Sequence, residues 1–461
     1  MADRPPEPSA WLSEDEVREL SRSLGESAES AQRRVESARS FAHLPLEPNP
    51  LYRKYGYFAG VDLTGLRPTA RGPPVRSPRP IAGGIQVIHD ASGTRVTIPP
   101  ELEALGVSAR AQPDEATDAS KGGASLGAPA TPSDRLSALA LATWNRSFVL
   151  EVPAGVTEPI RVQELTILSE PHQAVSIRRS IRAGRGAQLL LTEELYCASD
   201  GRDQRFFASS TDLTVGEDAK VVSFGLHAPD ARVVSYYQRR ATTGPNARLA
   251  WLWVGLSGFR SKVRNHTELT GVGSIVDDLQ AFYGREQTAY DSEVNLTHIA
   301  TDTRGQSITR GVYADEARGM SRGLVRIERE ARKTVSFISE HAMLLNRGAR
   351  SDTIPILEIL CRDVKATHSS SVAPVDPEKV FYLESRGHSQ PDAVRMISEG
   401  FLAYVLERAP IHGLRDLLYP QLEARWAGRE LRWDDDRRPL PPLEVTGTES
   451  APEWRFDSKL R

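Results

Sequence analysis

Three short stretches share one shape: Gly184-Arg185-Gly186-Ala187-Gln188, Gly216-Glu217-Asp218-Ala219-Lys220 and Gly244-Pro245-Asn246-Ala247-Arg248. Each runs glycine, turn residues, alanine, then a long polar side chain leading into an apolar run. Ala187 and Ala219 are 32 residues apart, and Ala219 and Ala247 are 28 apart. Asp315-Glu316-Ala317-Arg318 and Arg347-Gly348-Ala349-Arg350 are weaker copies, with Ala317 and Ala349 again 32 apart. A period of this size is the mark of stacked structural units. Between the turns lie apolar runs of four to seven residues, among them Phe148–Val152, Gln188–Leu191, Val221–Phe224, Arg232–Tyr237, Leu249–Val254, Gly323–Ile327 and Ile356–Leu360. These read as strands. Nothing between Phe148 and His368 has the pattern of a long helix, which argues against a doubly wound α/β sheet. The units are therefore all strand, and a β-solenoid fits them best, with a β-sandwich as the competing reading. Small alanines at tight corners, and glycines at positive φ, are what such a coil requires.

Helical segments flank the coil. Ser13 and Glu16 have capping-box spacing, and Val17, Leu20 and Leu24 follow at helical intervals. A second amphipathic stretch runs from Ala31 to Phe41. The aromatic-basic segment Leu51–Phe58 reads as a surface loop laying its rings on a neighbouring domain. Residues 106–134 are Ala, Ser, Gly, Asp and Pro with almost no large apolar side chains, which predicts a flexible excursion. Asp134–Trp144 reads as a short helix. Beyond the coil, Asp376-Pro377 is an N-cap with proline at the first helical position, and Ser389 with Asp392 starts a second helix. Val394, Ile397, Phe401 and Val405 line one face of it. The expected organisation is an N-terminal helical region over 1–66, a partly disordered linker with a short strand and helix over 67–145, a β-helix over 146–372, a helical domain over 373–425 and a polar tail over 426–461.

Composition narrows the function. A hydrophobic content of 39% and a charged content of 26% suit a globular protein, and no apolar run nears the ~20 residues that cross a bilayer. The N-terminus is polar and proline-rich without an apolar signal core, so the expected location is the cytoplasm. Net charge is −3 with both signs interspersed, which speaks against nucleic-acid binding. Only Cys197 and Cys361 are present, too few for a disulfide framework or for the four thiolates of a self-contained iron–sulfur site.

The segment Asp352-Thr-Ile-Pro-Ile-Leu-Glu-Ile-Leu-Cys-Arg-Asp-Val-Lys-Ala-Thr-His368, then Glu378-Lys-Val-Phe-Tyr-Leu-Glu-Ser-Arg-Gly387, then Glu399-Gly-Phe401, resembles the C-terminal signature of the SufB/SufD family of iron–sulfur cluster assembly proteins. Val152-Pro-Ala-Gly-Val156 and Ala317-Arg-Gly-Met-Ser-Arg-Gly323 are similar to two of its upstream junctions. The likeness spans roughly residues 148–410. It implies a right-handed parallel β-helix with helical domains at both ends. It also implies partners: a SufB-like chain (or a second copy of this one) along the β-helix, and a SufC-type ABC ATPase on the C-terminal helices. No enzymatic activity of its own is implied, and the sequence has no Gly-x-x-x-x-Gly-Lys-Ser/Thr loop.

Where SufB chains carry a cysteine before a Met-Leu pair, this sequence has about Glu340; where they carry glutamate after Asp-Val-Lys, it has His368. The resemblance is thus to SufD, and it implies His368 as a ligand to iron or to a transient cluster at the shared interface, with no cofactor held stably by this chain alone. Many SufD chains read Lys-Cys-x-His, but here Ala366 replaces the cysteine. Cys361 is a second candidate ligand. If residues 354–368 formed one strand, alternation would point Cys361 away from Ala366 and His368, and a bulge would be needed to bring it round. Val380, Phe381, Tyr382, Arg386, Phe401 and Tyr404 make the helical pair an expected partner-binding face. Two other readings stand beside this one: a structural adaptor that binds the ATPase without metal, and a polysaccharide-active β-helix enzyme. The latter wants clustered acids on a groove, whereas Asp277 and Asp278 are adjacent and diverge along a strand.

Overall fold

The computed structural model describes residues 12–48, 57, 61, 63, 65–68, 72–76, 81–111, 131–198, 203–229, 232–429, 431, 433 and 444–445. Sixteen strands from Arg146–Val152 to Val364–Pro374 wind into eight rungs, each with one strand in either of two facing sheets. Every neighbouring pair within this run is parallel, in unbroken register: Thr243 pairs with Leu269, Ser292 with Ser321, Ile338 with His368. The molecule is mainly β, a parallel solenoid with helices at both ends. Among the described residues no helix is long and apolar enough to cross a membrane.

The repeated turns are the corners of this coil, and their chemistry is specific. The left-handed residue is the third of the motif: Gly186 (φ 73°), Asp218 (φ 55°) and Asn246 (φ 52°). Its N–H donates to the next corner, Gly186 to Glu217 O at 2.8 Å, Asp218 to Pro245 O at 2.9 Å and Asn246 to Val272 O at 2.9 Å. The first glycine is needed for a different reason, close backbone approach. A Cβ on Gly244 would lie 2.9 Å from Glu217 N in the preceding corner. The alanines Ala187, Ala219 and Ala247 point inward, fully buried. One expectation is corrected here. Ala317 and Ala349 share the spacing but line the opposite corner, where the chain passes from the ten-stranded sheet to the nine-stranded one.

Strands are eight to eleven residues long in most rungs, longer than their apolar runs. Along the extra length the inward-facing residues are polar. Two apolar columns run along the interior corners, and between them lies a buried polar file. Glu164 meets His89 at 2.9 Å and Arg179 at 2.7 Å; Arg239 meets Glu193 at 3.3 Å; Asp278 accepts from Asn265 at 2.7 Å and Gln280 at 2.9 Å. Burial alone would push the Glu164 carboxyl up, but Arg179 and His89 outweigh it and hold it at about 2. His298, bonded to Thr303 and Ser336, and the indoles of Trp251 and Trp253 belong to this interior. Asp277 and Asp278 diverge: Asp278 points inward, and Asp277 meets Gln306 on the outer face.

Helices cover the outer faces. Helices α1 (Glu14–Ser23), α2 (Ala28–His43) and α4 (Arg135–Thr143) pack together, and α4 lies on the nine-stranded sheet; α3 (Pro100–Ala104) is one short turn. Ser13 accepts from Glu16 N–H as its spacing predicts. Glu47 ties this layer to the coil through Lys262 (3.0 Å) and Arg322 (3.1 Å), and Tyr57 donates to Asp352 at 2.7 Å. Apart from Tyr57, the Leu51–Phe58 segment lies outside the described residues. So do 112–130 of the expected excursion and most of the tail from 426. Within the excursion, Ser108–Arg110 is a strand. The ten-stranded sheet carries α6 (Gln390–Leu406) and α7 (Leu414–Trp426), with α5 (Pro377–Ser385) packed on α6; α6 packs on the strands Arg304–Tyr313 and Ile275–Gly284.

Candidate functional site

The two ends of the solenoid differ. At its N-terminal end both sheets finish in a short antiparallel strand, Gly93–Thr97 beside Ile85–Asp90 and Ser108–Arg110 beside Arg146–Val152. At the C-terminal end the edges are Arg350–Ile359 and Val364–Pro374, ten and eleven residues long, with no strand beyond them among the described residues. Such an edge presents a row of unpaired N–H and C=O groups. Most of its side chains are exposed, including the apolar Ile359, Leu360 and Val372. Pro355 and Lys365 blunt this end locally, but it remains long and partly apolar, with no covering strand among the described residues.

His368 lies on this open edge. It pairs in register with Ile338, which is buried in the interior, so alternation places His368 on the interior side of the last rung, and it is exposed. Cys361 is not in a strand. The strand before it stops at Ile359 and the next starts at Val364, so Cys361 occupies the corner between them. It packs, half-buried, on the same interior cluster as Val364 and Ala366. The expectation that it faces away from His368 is corrected by that corner, which interrupts the alternation. No bulge is needed. Cys361 and His368 still do not form a joint site. His368 is the fifth residue of its strand, about 13 Å of extended chain beyond Val364. No group of three or more His, Cys, Asp or Glu side chains suited to a metal occurs among the described residues.

The preceding strand, Thr334–Leu344, carries Glu340 inward and His341 outward. Glu340 is buried, accepts from the Ile354 N–H, and leaves Oε2 without a partner. Burial pushes its carboxyl up to about 7. On the outer face His341 contacts Ser371 (2.5 Å) and Ser369 (3.2 Å) of the edge strand.

The helical pair begins as its caps predict, with Asp376 accepting from Glu378 N–H at 2.9 Å and Ser389 accepting from Asp392 N–H at 3.3 Å. The six residues expected to form a partner face divide. Phe381 and Tyr382 are 71% and 56% exposed, and Arg386 is exposed with its guanidinium 5.2 Å from the Tyr382 ring. Val380 is buried and anchors α5. Phe401 and Tyr404 are partly buried against the outer face of the ten-stranded sheet, where Arg310 stacks over both rings. They hold α6 to the coil and add little free aromatic surface.

Residues 166–401 match the SufBD core domain of the SUF system for FeS cluster assembly. The chain belongs to the SufB/SufD family. It is 28% identical over 292 residues to the iron-sulfur cluster assembly protein SufD of Bacillus subtilis, covering 63% of this chain and 67% of that protein. It is 28% identical over 173 residues to SufD of Escherichia coli, 38% of this chain and 41% of that one. An iron-sulfur cluster assembly SufBD family protein of Pyrococcus horikoshii is 27% identical over 277 residues, 60% of this chain and 61% of that protein. Within the family this is a SufD-like member. The matched core ends at Phe401, so it takes in the open edge, His368, Cys361, α5 and most of α6. The two corrections have different causes. The burial of Tyr404 depends on Arg310, 94 residues earlier, which no local pattern reports. The turn at Cys361 was signalled only by Arg362-Asp363, a weak break between two apolar runs.

Proposed function

We propose that this chain is a SufD-like, non-catalytic scaffold subunit in iron–sulfur cluster assembly. Its open end pairs with a SufB-like chain, and its C-terminal helices dock a SufC-type ATPase. The observation that carries the reading is the asymmetry of the solenoid. One end is capped in both sheets, while the other leaves two long strands with free backbone groups and exposed Ile359, Leu360 and Val372. A second β-helix laid against that end would satisfy the backbone and cover the apolar side chains. Exposed Phe381, Tyr382 and Arg386 stand next to that end on α5 and offer aromatic and cationic anchors of the kind that dominate protein interfaces.

In this reading His368 contributes one imidazole to iron or a nascent cluster, which is cargo, and the partner chain supplies thiolates. Ala366, standing where many SufD chains have cysteine, favours a second reading: an adaptor that positions the ATPase and ligates nothing. One experiment tests both. The chain is co-expressed with a SufB-like and a SufC-like chain, and the complex is isolated and assayed for iron and sulfide, with His368→Ala in parallel. The scaffold reading expects one co-purifying complex whose iron content falls by half or more in the variant while its composition holds. Unchanged iron in an intact complex selects the adaptor. Clean separation of the wild-type chain from both others overturns the pairing itself.

A further inference from the structure

On the outer face of the ten-stranded sheet, three residues stand in register on its last three strands: Arg310, His341 and Ser371. Arg310 is almost wholly buried, at 6% exposure. Its Nη1 donates to Thr309 O (3.2 Å) and Ser339 Oγ (3.1 Å), both neutral acceptors. Tyr404 of α6 stacks on it, with the Arg310 Cζ 4.5 Å from the ring centroid, and Arg408 stacks on the same ring at 3.5 Å. The two guanidinium carbons therefore lie within about 8 Å of each other. His341 completes the cluster beside them, held by Ser369 and Ser371 of the open edge.

No acid balances these groups. Neither Arg310 nor Arg408 forms an ion pair among the described residues. Acids close to them in sequence are engaged elsewhere: Asp315 with Arg285 (3.3 Å), Glu407 with Arg415 (3.6 Å) and Glu399 with Arg395 (3.8 Å). Glu340 precedes His341 but points into the coil. The consequence is visible in the acid–base chemistry. Burial, aided by Arg408, lowers Arg310 to about 10, and burial with Arg310 lowers His341 to about 4. Rings and hydroxyls solvate the cations in part, but an uncompensated buried guanidinium remains costly without a counter-charge.

We propose that the Arg310–Arg408–His341 cluster is a docking site for a carboxylate side chain of the chain that pairs with the open edge. This rests on the pairing reading above and names one contact within it. Position favours a protein carboxylate over a free anion. Ser371 belongs to the edge strand, and a strand added beside it would place its own outward-facing residue about 4.8 Å further along the same column. An Asp or Glu there would meet His341, which touches Ser369 and Ser371 of the edge, and one on a loop folding back over α6 would reach Arg408. Such a contact sets register and discriminates partners, because an uncharged or basic residue would leave the cations unpaired.

The test uses the full chain and its SufB-like partner. The dissociation constant is measured between 50 and 500 mM NaCl for wild type, Arg408→Glu and Arg408→Lys, with circular dichroism melts to verify the fold. The proposal expects Arg408→Glu to bind at least tenfold more weakly with a flatter salt dependence, and Arg408→Lys to stay near wild type. It expects a partner Asp or Glu→Lys change to restore Arg408→Glu. Inorganic phosphate is titrated into the free chain as a second arm. Phosphate binding lost in Arg408→Glu, with partner affinity unchanged, identifies a small-anion site and overturns the proposal. Equal affinity and salt slope for wild type and Arg408→Glu also overturns it while leaving the pairing reading intact. Failure of the wild type to pair overturns both.

Discussion

Glu340 shows how a single side chain can register the state of the coil's open end. It faces inward one rung from the edge, with the Ile354 N–H as donor, Arg322 as the one cation acting on it, and one oxygen unbonded. Its folded pKa of about 7 lies above its ordinary value of 4.5. The native state therefore binds more protons than the unfolded chain between those values, and stability falls as pH rises through that window. The loss amounts to at most about 3 kcal/mol. Glu340→Gln keeps the acceptor and removes the titration. Its melting temperature relative to wild type is expected to rise from pH 4.5 to pH 8, and a constant difference across that range would refute the assignment. At this scale the sequence was only partly legible. That Glu340 and His341 face opposite sides follows from alternation, whereas the one hydrogen bond to the carboxyl comes from Ile354 and the room beside its Oε1 from Gly323, both on other strands.

At the scale of elements, the corners and the helix starts were the most readable parts, because each is fixed by local chemistry. Asn246 is a residue type that tolerates the left-handed conformation and Ala247 is small enough to turn into the core, so the local sequence marks the corner that the bond to Val272 then fastens. Asp376-Pro377 caps α5 in the same self-contained way. Strand lengths were less readable, since Glu193 and Arg239 look like surface residues and sit inside the coil. The aromatic residues of α5 and α6 were least readable, because burial there is decided by the sheet they meet. The structure separates two roles within them. Phe381→Ala with Tyr382→Ala removes exposed rings, so stability is expected to change by less than about 0.5 kcal/mol for each. Affinity for the SufC-type ATPase, measured by calorimetry, is expected to fall at least tenfold. Loss of stability with unchanged ATPase affinity would show these rings to be structural.

At the scale of the molecule, the proposed pairing follows from a solenoid that, among the described residues, is finished at one end only. The short antiparallel strands Gly93–Thr97 and Ser108–Arg110 close the first rungs, and the helical layers cover both outer faces. What remains is one open edge, bearing His368 on its interior side and Ser369 and Ser371 beside the cationic cluster on its outer side. The most direct measurement is hydrogen–deuterium exchange of this chain alone and mixed with a SufB-like chain. The outward-facing amides of strands Arg350–Ile359 and Val364–Pro374 are predicted to exchange freely alone and to become strongly protected in the mixture, with Gly93–Thr97 and Ser108–Arg110 unchanged. Binding that leaves both C-terminal edge strands unprotected would contradict the account.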